Sequence, residues 1–152
     1  MPRLAPPPPA DSSGTTPQAL RRAARTWPEA TAIIDDQQGG ESALSWAGLH
    51  DAVRTFAAAL VASGIAAGDR VAIWAPNSHH WPVAALGIHH AGAVLIPLNT
   101  RYTTGEAVEI IERSGSAAVV VSGEFLGADH CAELLDNHRD SLPQHIIHVP
   151  VT

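Results

Sequence analysis

Leu60-Val61-Ala62-Ser63-Gly64-Ile65-Ala66-Ala67-Gly68-Asp69-Arg70-Val71-Ala72-Ile73-Trp74 carries the chain from the end of an amphipathic helix, through a tight turn, into a short apolar strand. Upstream, Leu49, Val53, Phe56, Leu60 and Val61 recur at three- and four-residue spacing, which places them on one helical face, and Ser45 stands where a cap is needed. Gly64 stops that helix. Gly64 and Gly68 supply the positive φ needed where a helix ends and the chain turns at once into a strand. Asp69-Arg70 sits at the strand entrance, where charge stays wet. Val71 to Trp74 is apolar at every position, the pattern of a strand covered on both faces.

The same alternation continues downstream. Ala93-Val94-Leu95-Ile96, Ala118-Val119-Val120-Val121 and Ile146-Ile147-His148-Val149 are further apolar runs of strand length. Helical segments are predicted between them over His79–His90, Thr104–Arg113 and Glu124–His138, with Asn77 or Ser78 and Thr104 as caps. Gly92 lets a helix stop close to the sheet, and Pro97 closes a strand where the ladder does not need the next amide. Strands alternating with helices imply an α/β fold built on a largely parallel sheet with right-handed crossovers, without internal repeats.

Upstream of the long helix, Thr31–Asp35 and Ala43–Trp46 flank the polar segment Asp36-Gln37-Gln38-Gly39-Gly40-Glu41, which predicts an antiparallel hairpin. Thr16-Pro17 is expected to start a short helix carrying Leu20, Ala23 and Ala24 and ending before Pro28. Residues 1–16, rich in Pro, Ser, Gly and Thr, are expected to form a disordered tail. The folded unit is expected to run over residues 17–152.

Composition narrows the chemistry. A net charge of −6 without a basic patch argues against a nucleic-acid groove. All nine basic residues are arginine, so a Walker-type loop lysine and a Schiff-base lysine are excluded within this sequence. Cys131 is alone and cannot form an internal disulfide, which suits a reducing cytoplasm. The opening Leu4-Ala5-Pro6-Pro7-Pro8-Pro9 cannot form the apolar helix of a secretory signal. Val83–Leu98, interrupted by His89 and His90, falls short of a membrane span and reads as core.

An ordered series of segments resembles the opening of the AMP-forming superfamily of acyl-CoA synthetases, luciferases and peptide-synthetase adenylation domains. The series is Leu44-Ser45-Trp46-Ala47-Gly48-Leu49, Ala57-Ala58-Ala59-Leu60 through Gly64 to Gly68-Asp69-Arg70-Val71-Ala72-Ile73, Pro76-Asn77-Ser78, Ala91-Gly92-Ala93-Val94 and Pro97-Leu98-Asn99. The resemblance covers about Thr16 to Val149. Ile73-Trp74-Ala75-Pro76-Asn77, His80-Trp81, Ile88-His89-His90-Ala91-Gly92-Ala93, Asn99-Thr100-Arg101-Tyr102-Thr103 and Gly123-Glu124-Phe125-Leu126-Gly127 are most similar to actinobacterial fatty-acyl-CoA ligases and ligases for steroid-ring-derived propanoates.

The resemblance implies a two-step reaction: a carboxylate attacks the α-phosphate of ATP to give an acyl-adenylate and pyrophosphate, and coenzyme A then displaces AMP. It implies ATP, Mg and CoA for the complete enzyme and none of them for this segment. The family's Ser/Thr/Gly-rich phosphate loop, acidic ribose contact and catalytic lysine are not found here. Ser12-Ser13-Gly14-Thr15-Thr16-Pro17-Gln18-Ala19-Leu20 echoes the loop only superficially, because Pro17 removes a backbone donor and no basic residue closes the motif.

No catalytic, cofactor-binding or metal-binding residue is therefore assigned. The adjacent pairs His79-His80 and His89-His90 diverge by about 100° on a helix and are read as packing or surface groups. Ser45, Ser63, Ser78, Ser114, Ser116 and Ser122 lack a nucleophile elbow and read as caps and turns. Trp74 and Trp81 read as core, and Arg101-Tyr102 as a surface pair at the ligand side of a parallel sheet.

The expected function is thus an incomplete N-terminal subdomain of an acyl-CoA ligase, with little activity alone, a carboxylic acid as the complete enzyme's substrate, and no nucleic-acid or membrane-spanning role. Two alternatives stay open: a noncatalytic α/β interaction or small-ligand module, and one half of a split enzyme that associates with a complementary downstream fragment.

Overall fold

The computed structural model describes residues 14–36, 42–125 and 127–150. Most of the predicted tail (residues 1–13) and most of the hairpin turn (residues 37–41) lie outside the described residues.

The chain opens with α1 (Thr16–Thr26), the hairpin strands β1 (Thr31–Asp35) and β2 (Ser42–Ser45), and the long α2 (Trp46–Ala62). Thereafter β3 (Arg70–Trp74), α3 (His80–His90), β4 (Val94–Pro97), α4 (Thr104–Ser114) and β5 (Ser116–Ser122) alternate. A small antiparallel pair, β6 (Glu124–Phe125) and β7 (Ala128–Asp129), precedes α5 (His130–Asn137) and β8 (His145–Val149). Strands β3, β4, β5 and β8 form one parallel sheet in the order β4-β3-β5-β8, with β1 and β2 paired separately.

The side-chain alternation of β3 builds two cores, one on each face. Val71 and Ile73 pack with Leu60, Ile65, Ala84 and Ile88 beneath α2 and α3. Ala72 and Trp74 pack with Val108, Ile111, Val119 and Leu134 beneath α4 and α5. Two-sided burial holds for β3 beyond Arg70 and for nearly all of β5, whereas the edge strands β4 and β8 are only partly covered. A third cluster, centred on Leu20, Leu49 and Val53, joins α1 and the hairpin to α2. Among the described residues no helix is long and apolar enough to cross a membrane.

The α2 helix has the predicted Ser45 cap, whose Oγ accepts from Gly48 N–H at 3.1 Å. Gly68 takes φ 88° and donates its N–H to Gly92 O at 2.9 Å, which ties the turn before β3 to the turn before β4. Other expectations need correction. Thr16, which sequence chemistry offers as the cap of α1, is already helical, and Thr15 is the cap residue, within a capping box with Gln18. Thr103, not Thr104, caps α4 in a reciprocal box with Glu106, and its backbone and side-chain hydrogen bonds hold the Glu106 carboxyl below its ordinary pKa. Leu98 N–H does serve the sheet, donating to Ile73 O at 2.9 Å after Pro97.

The predicted helix over Glu124–His138 is cut to eight residues. Gly127, at φ 82°, precedes β7, which pairs back on β6, and Asp129 then caps α5 by accepting from Ala132 N–H at 2.9 Å. Neither Asn77 nor Ser78 caps α3. Its N-cap position is His79, which makes no capping bond of its own, and the acceptor comes from β1: Asp35 Oδ2 takes the His79 backbone N–H at 2.7 Å.

Candidate functional site

In an open parallel sheet the connections from two neighbouring strands lead in opposite directions at one point, leaving a crevice at their carboxyl ends. Here β3 leads through α3 to β4 on one side, while β5 leads through α5 to β8 on the other. The crevice therefore lies beyond Trp74 and Ser122, the last residues of β3 and β5.

Trp74 is fully buried, and its indole Nε1–H donates to Asn99 O at 3.0 Å, pinning the loop after β4. The imidazole of His130, in the first turn of α5, stacks on this indole with centroids 3.9 Å apart and planes 15° from parallel. Asn99 Oδ1 accepts from Arg101 N–H at 2.9 Å, so both Asn99 oxygens hold the loop. Arg101 and Tyr102 are exposed at this end of the sheet, as a surface pair.

Two buried polar atoms here have no hydrogen-bond partner among the described residues: Ser122 Oγ and His130 Nδ1. His130 Nδ1 lies 4.0 Å from Glu133 Oε2, beyond hydrogen-bond range, while Glu133 accepts from the Thr104 hydroxyl. Leaving such groups unpaired is costly, so this edge is built to receive polar groups. Sequence reading placed Ser122 among caps and turns and did not single out His130. The signal that finds Ser122 is that it is the polar residue ending the apolar run at residues 117–121; no such run marks His130, which follows Asp129 at the start of α5.

Among the described residues the edge has no assembled nucleophile, since none of them places a base in hydrogen-bond contact with Ser122. Burial, with Asp129 nearby, raises the pKa of the Cys131 thiol and keeps it neutral. Ser63 and Ser114 bond back to helix carbonyls, and Ser114 and Ser116 share a 2.7 Å contact. Trp81 packs against the core beneath α3.

The histidine pairs part company. His79 Nδ1 lies 3.0 Å from Asp35 Oδ2, and His80 rests against the His79 ring at a 3.9 Å centroid distance. Burial first, then the neighbouring His79, lowers the pKa of His80. His89 is exposed, whereas His90 meets His50 edge to face across α2 and α3. Among the described residues no three His, Cys, Asp or Glu side chains come together to hold a metal ion. The Ser12–Leu20 stretch runs into α1, so its later residues are helical and do not form a loop around a phosphate.

The profile of the AMP-binding enzyme family matches residues 20–151. The chain belongs to that family. Over 137 residues it is 51% identical to the 3-[(3aS,4S,7aS)-7a-methyl-1,5-dioxo-octahydro-1H-inden-4-yl]propanoyl:CoA ligase of Rhodococcus jostii (strain RHA1), covering 90% of this chain and 26% of that protein. Its fold superposes on a Mycobacterium tuberculosis fatty acyl CoA synthetase with a TM-score of 0.78 at 26% identity, over 92% of this chain and 27% of that one. The N-terminal domain of FACL13 from Mycobacterium tuberculosis gives a TM-score of 0.78 at 27% identity, over 90% of this chain and 34% of that one.

The chain thus corresponds to the N-terminal part of adenylate-forming ligases and spans about a quarter of the curated relative's length, 26%. The family's ATP chemistry does not fit the residues present. No lysine occurs in the sequence, and the Ser- and Thr-containing stretch nearest a phosphate loop enters a helix. No step of adenylation is assigned to these side chains.

Proposed function

We propose that this chain is the N-terminal part of an ATP-dependent acyl-CoA ligase acting on a propanoate side chain carried by a bicyclic, steroid-derived ring system. In that reaction a carboxylate oxygen attacks the α-phosphate of ATP and pyrophosphate leaves. The thiol sulfur of coenzyme A then attacks the acyl carbon, AMP leaves, and the thiol proton passes to solvent. The observation carrying this reading is the 51% identity to a ligase named for such a ring propanoate, set against 26% to a fatty acyl CoA synthetase of the same fold.

The contribution of this chain is structural. Its parallel sheet holds a rigid edge, with the Trp74–His130 stack and the Asn99 loop, against which the catalytic remainder of a ligase would close. We place the reaction in the cytoplasm, where ATP and coenzyme A are available. The chain alone is expected to turn over little or no substrate, because it has no lysine for the adenylation step.

The test is acid- and coenzyme A-dependent AMP release, measured for the 152-residue chain alone and for the chain joined to the remaining segments of the relative. Activity only in the extended polypeptide, with the bicyclic propanoate preferred over fatty acids, is the expected outcome. Turnover by the chain alone would refute the structural role, and a preference for linear fatty acids would refute the substrate class.

A further inference from the structure

A cavity of about 420 Å³ opens between α1, α2 and the end of α3, at some distance from the carboxyl edge of the sheet. Its charged and polar walls are Arg21 and Arg25 of α1, His50, Asp51 and Arg54 of α2, and His90, the last residue of α3. Arg21 and Arg25 are four residues apart on one helix, and His50 and Arg54 four apart on the next, so each helix turns a basic pair toward the same space.

This concentration runs against the composition. The chain has a net charge of −6 and nine arginines, of which three line this one cavity. Among the described residues none of the Arg21, Arg25 and Arg54 guanidinium groups makes a hydrogen bond or ion pair, whereas Arg70 and Arg113 do. Among the described residues the single carboxylate in the wall is Asp51, 76% exposed and 3.7 Å from His50 Nδ1. Inside the wall, His50 Nε2 and His90 Nδ1 are buried without hydrogen-bond partners among the described residues. Their rings meet edge to face at 6.4 Å, an arrangement in which two imidazolium charges would repel.

We propose that this cavity binds an anion of the phosphate class, held by the forked guanidinium groups of Arg21, Arg25 and Arg54 beside the His50–His90 pair. Guanidinium forks match tetrahedral oxyanions in geometry and stay charged at every working pH. The volume lies within the range of small-molecule sites and exceeds what one phosphate fills, so a phosphate ester or a diphosphate suits it better than a bare phosphate ion. Burial first, and then the nearby His50, Arg21 and Arg54, lower the pKa of His90, and the last three contributions show that this ring feels the basic groups of the wall.

The site is separate from the crevice described above. α3 begins beyond the carboxyl end of β3 and runs 11 residues to His90, roughly 16 Å at the α-helical rise. An anion bound here would therefore touch neither Trp74 nor His130. Two sources share this chemistry, a soluble phosphate ester and the headgroup of an acidic phospholipid.

The test is calorimetric titration of the 152-residue chain with pyrophosphate at constant ionic strength, together with NMR titration of the His90 ring protons. Saturable binding is expected, with His90 titrating at a higher pH when pyrophosphate is bound. The exposed positions allow Arg21→Gln with Arg54→Gln to be made without disturbing the core, and this double variant should bind about ten-fold more weakly or worse while unfolding at the same midpoint. Arg113→Gln with Arg139→Gln, both exposed and outside the cavity, removes the same two charges and should bind like the parent.

A second arm uses phosphatidylcholine vesicles with and without phosphatidic acid. Arginine-dependent binding only to the acidic vesicles would support the site with a headgroup as its source, and arginine-dependent binding only to pyrophosphate would support a soluble ester. Absence of saturable binding in both arms would overturn the proposal. So would binding that the double variant leaves undiminished.

Discussion

Replacing Asp35 with alanine tests the least expected contact in the fold, the capping of α3 by a carboxylate from β1. Asp35 is 6% exposed and accepts two bonds from His79: the backbone N–H at 2.7 Å and ring Nδ1 at 3.0 Å. The first stands in for a helix cap, whose loss costs about 0.5–2 kcal/mol, and the carboxylate also faces the positive end of the helix dipole. The second, a side-chain hydrogen bond from the partly exposed His79 ring, adds about 1 kcal/mol. Asp35→Ala should thus destabilise the chain by about 1.5–3 kcal/mol, and Asp35→Asn, which keeps a neutral acceptor, by about half as much.

Urea titration followed by tryptophan fluorescence reads this as a lower midpoint with an unchanged slope. At about 2–4 °C per kcal/mol for a chain of this size, the melting temperature should fall by roughly 3–12 °C. His79→Ala keeps the backbone N–H and removes only the ring, so its cost should be about 1 kcal/mol in the parent and nearly nil beside Asp35→Ala. A loss below about 0.5 kcal/mol for Asp35→Ala, the range of ordinary surface changes, would show that α3 does not depend on β1 for its cap.

Three further substitutions probe other links. A Cβ at Gly87 would stand 2.6 Å from Phe56 Cδ1, so Gly87→Ala should destabilise by about 1 kcal/mol after its gain in helix propensity is subtracted, and Phe56→Leu should relieve that loss in a urea-midpoint comparison. Ser122 Oγ is buried and unpaired, so Ser122→Ala should leave stability of the isolated chain unchanged or slightly raised, and a drop above about 1 kcal/mol would reveal a partner for that hydroxyl. Because the folded chain lowers the pKa of His90, the unfolded chain takes up this proton first as the pH falls through about 6.5, and stability declines from there to the lower folded-state value. His90→Gln should flatten that acid-side decline in midpoints measured across the interval, while an unaltered slope would assign it to other groups.

The parts of the fold legible in the sequence are those whose cause is local. The period of Leu49, Val53 and Leu60, the Ser45 cap and the glycines at 64 and 68 each act within a few residues, and each appears where periodicity and capping chemistry put it. The misreadings arise where the deciding partner is distant or one residue outweighs a run. The carboxylate serving α3 lies 44 residues upstream, so Asn77 and Ser78 looked like better caps than anything in view. At Gly127, backbone freedom overrides the helix-compatible residues around it, and β7 pairs back on β6.

The candidate edge was legible only in part, for the same reason. Trp74 announced itself as core, but the role of its ring depends on His130, 56 residues later, and on Asn99 in a different loop. No spacing rule links three such positions; the order β4-β3-β5-β8 does, by bringing the ends of β3 and β5 side by side and returning α5 over them. The cationic cavity has a similar origin. Its arginines are scattered over two helices that sequence reading treated separately, and they become one field only when α1 packs on α2. Composition averaged that field into a net negative charge, which describes how the whole chain repels or attracts at long range and says little about a cavity a few ångströms across.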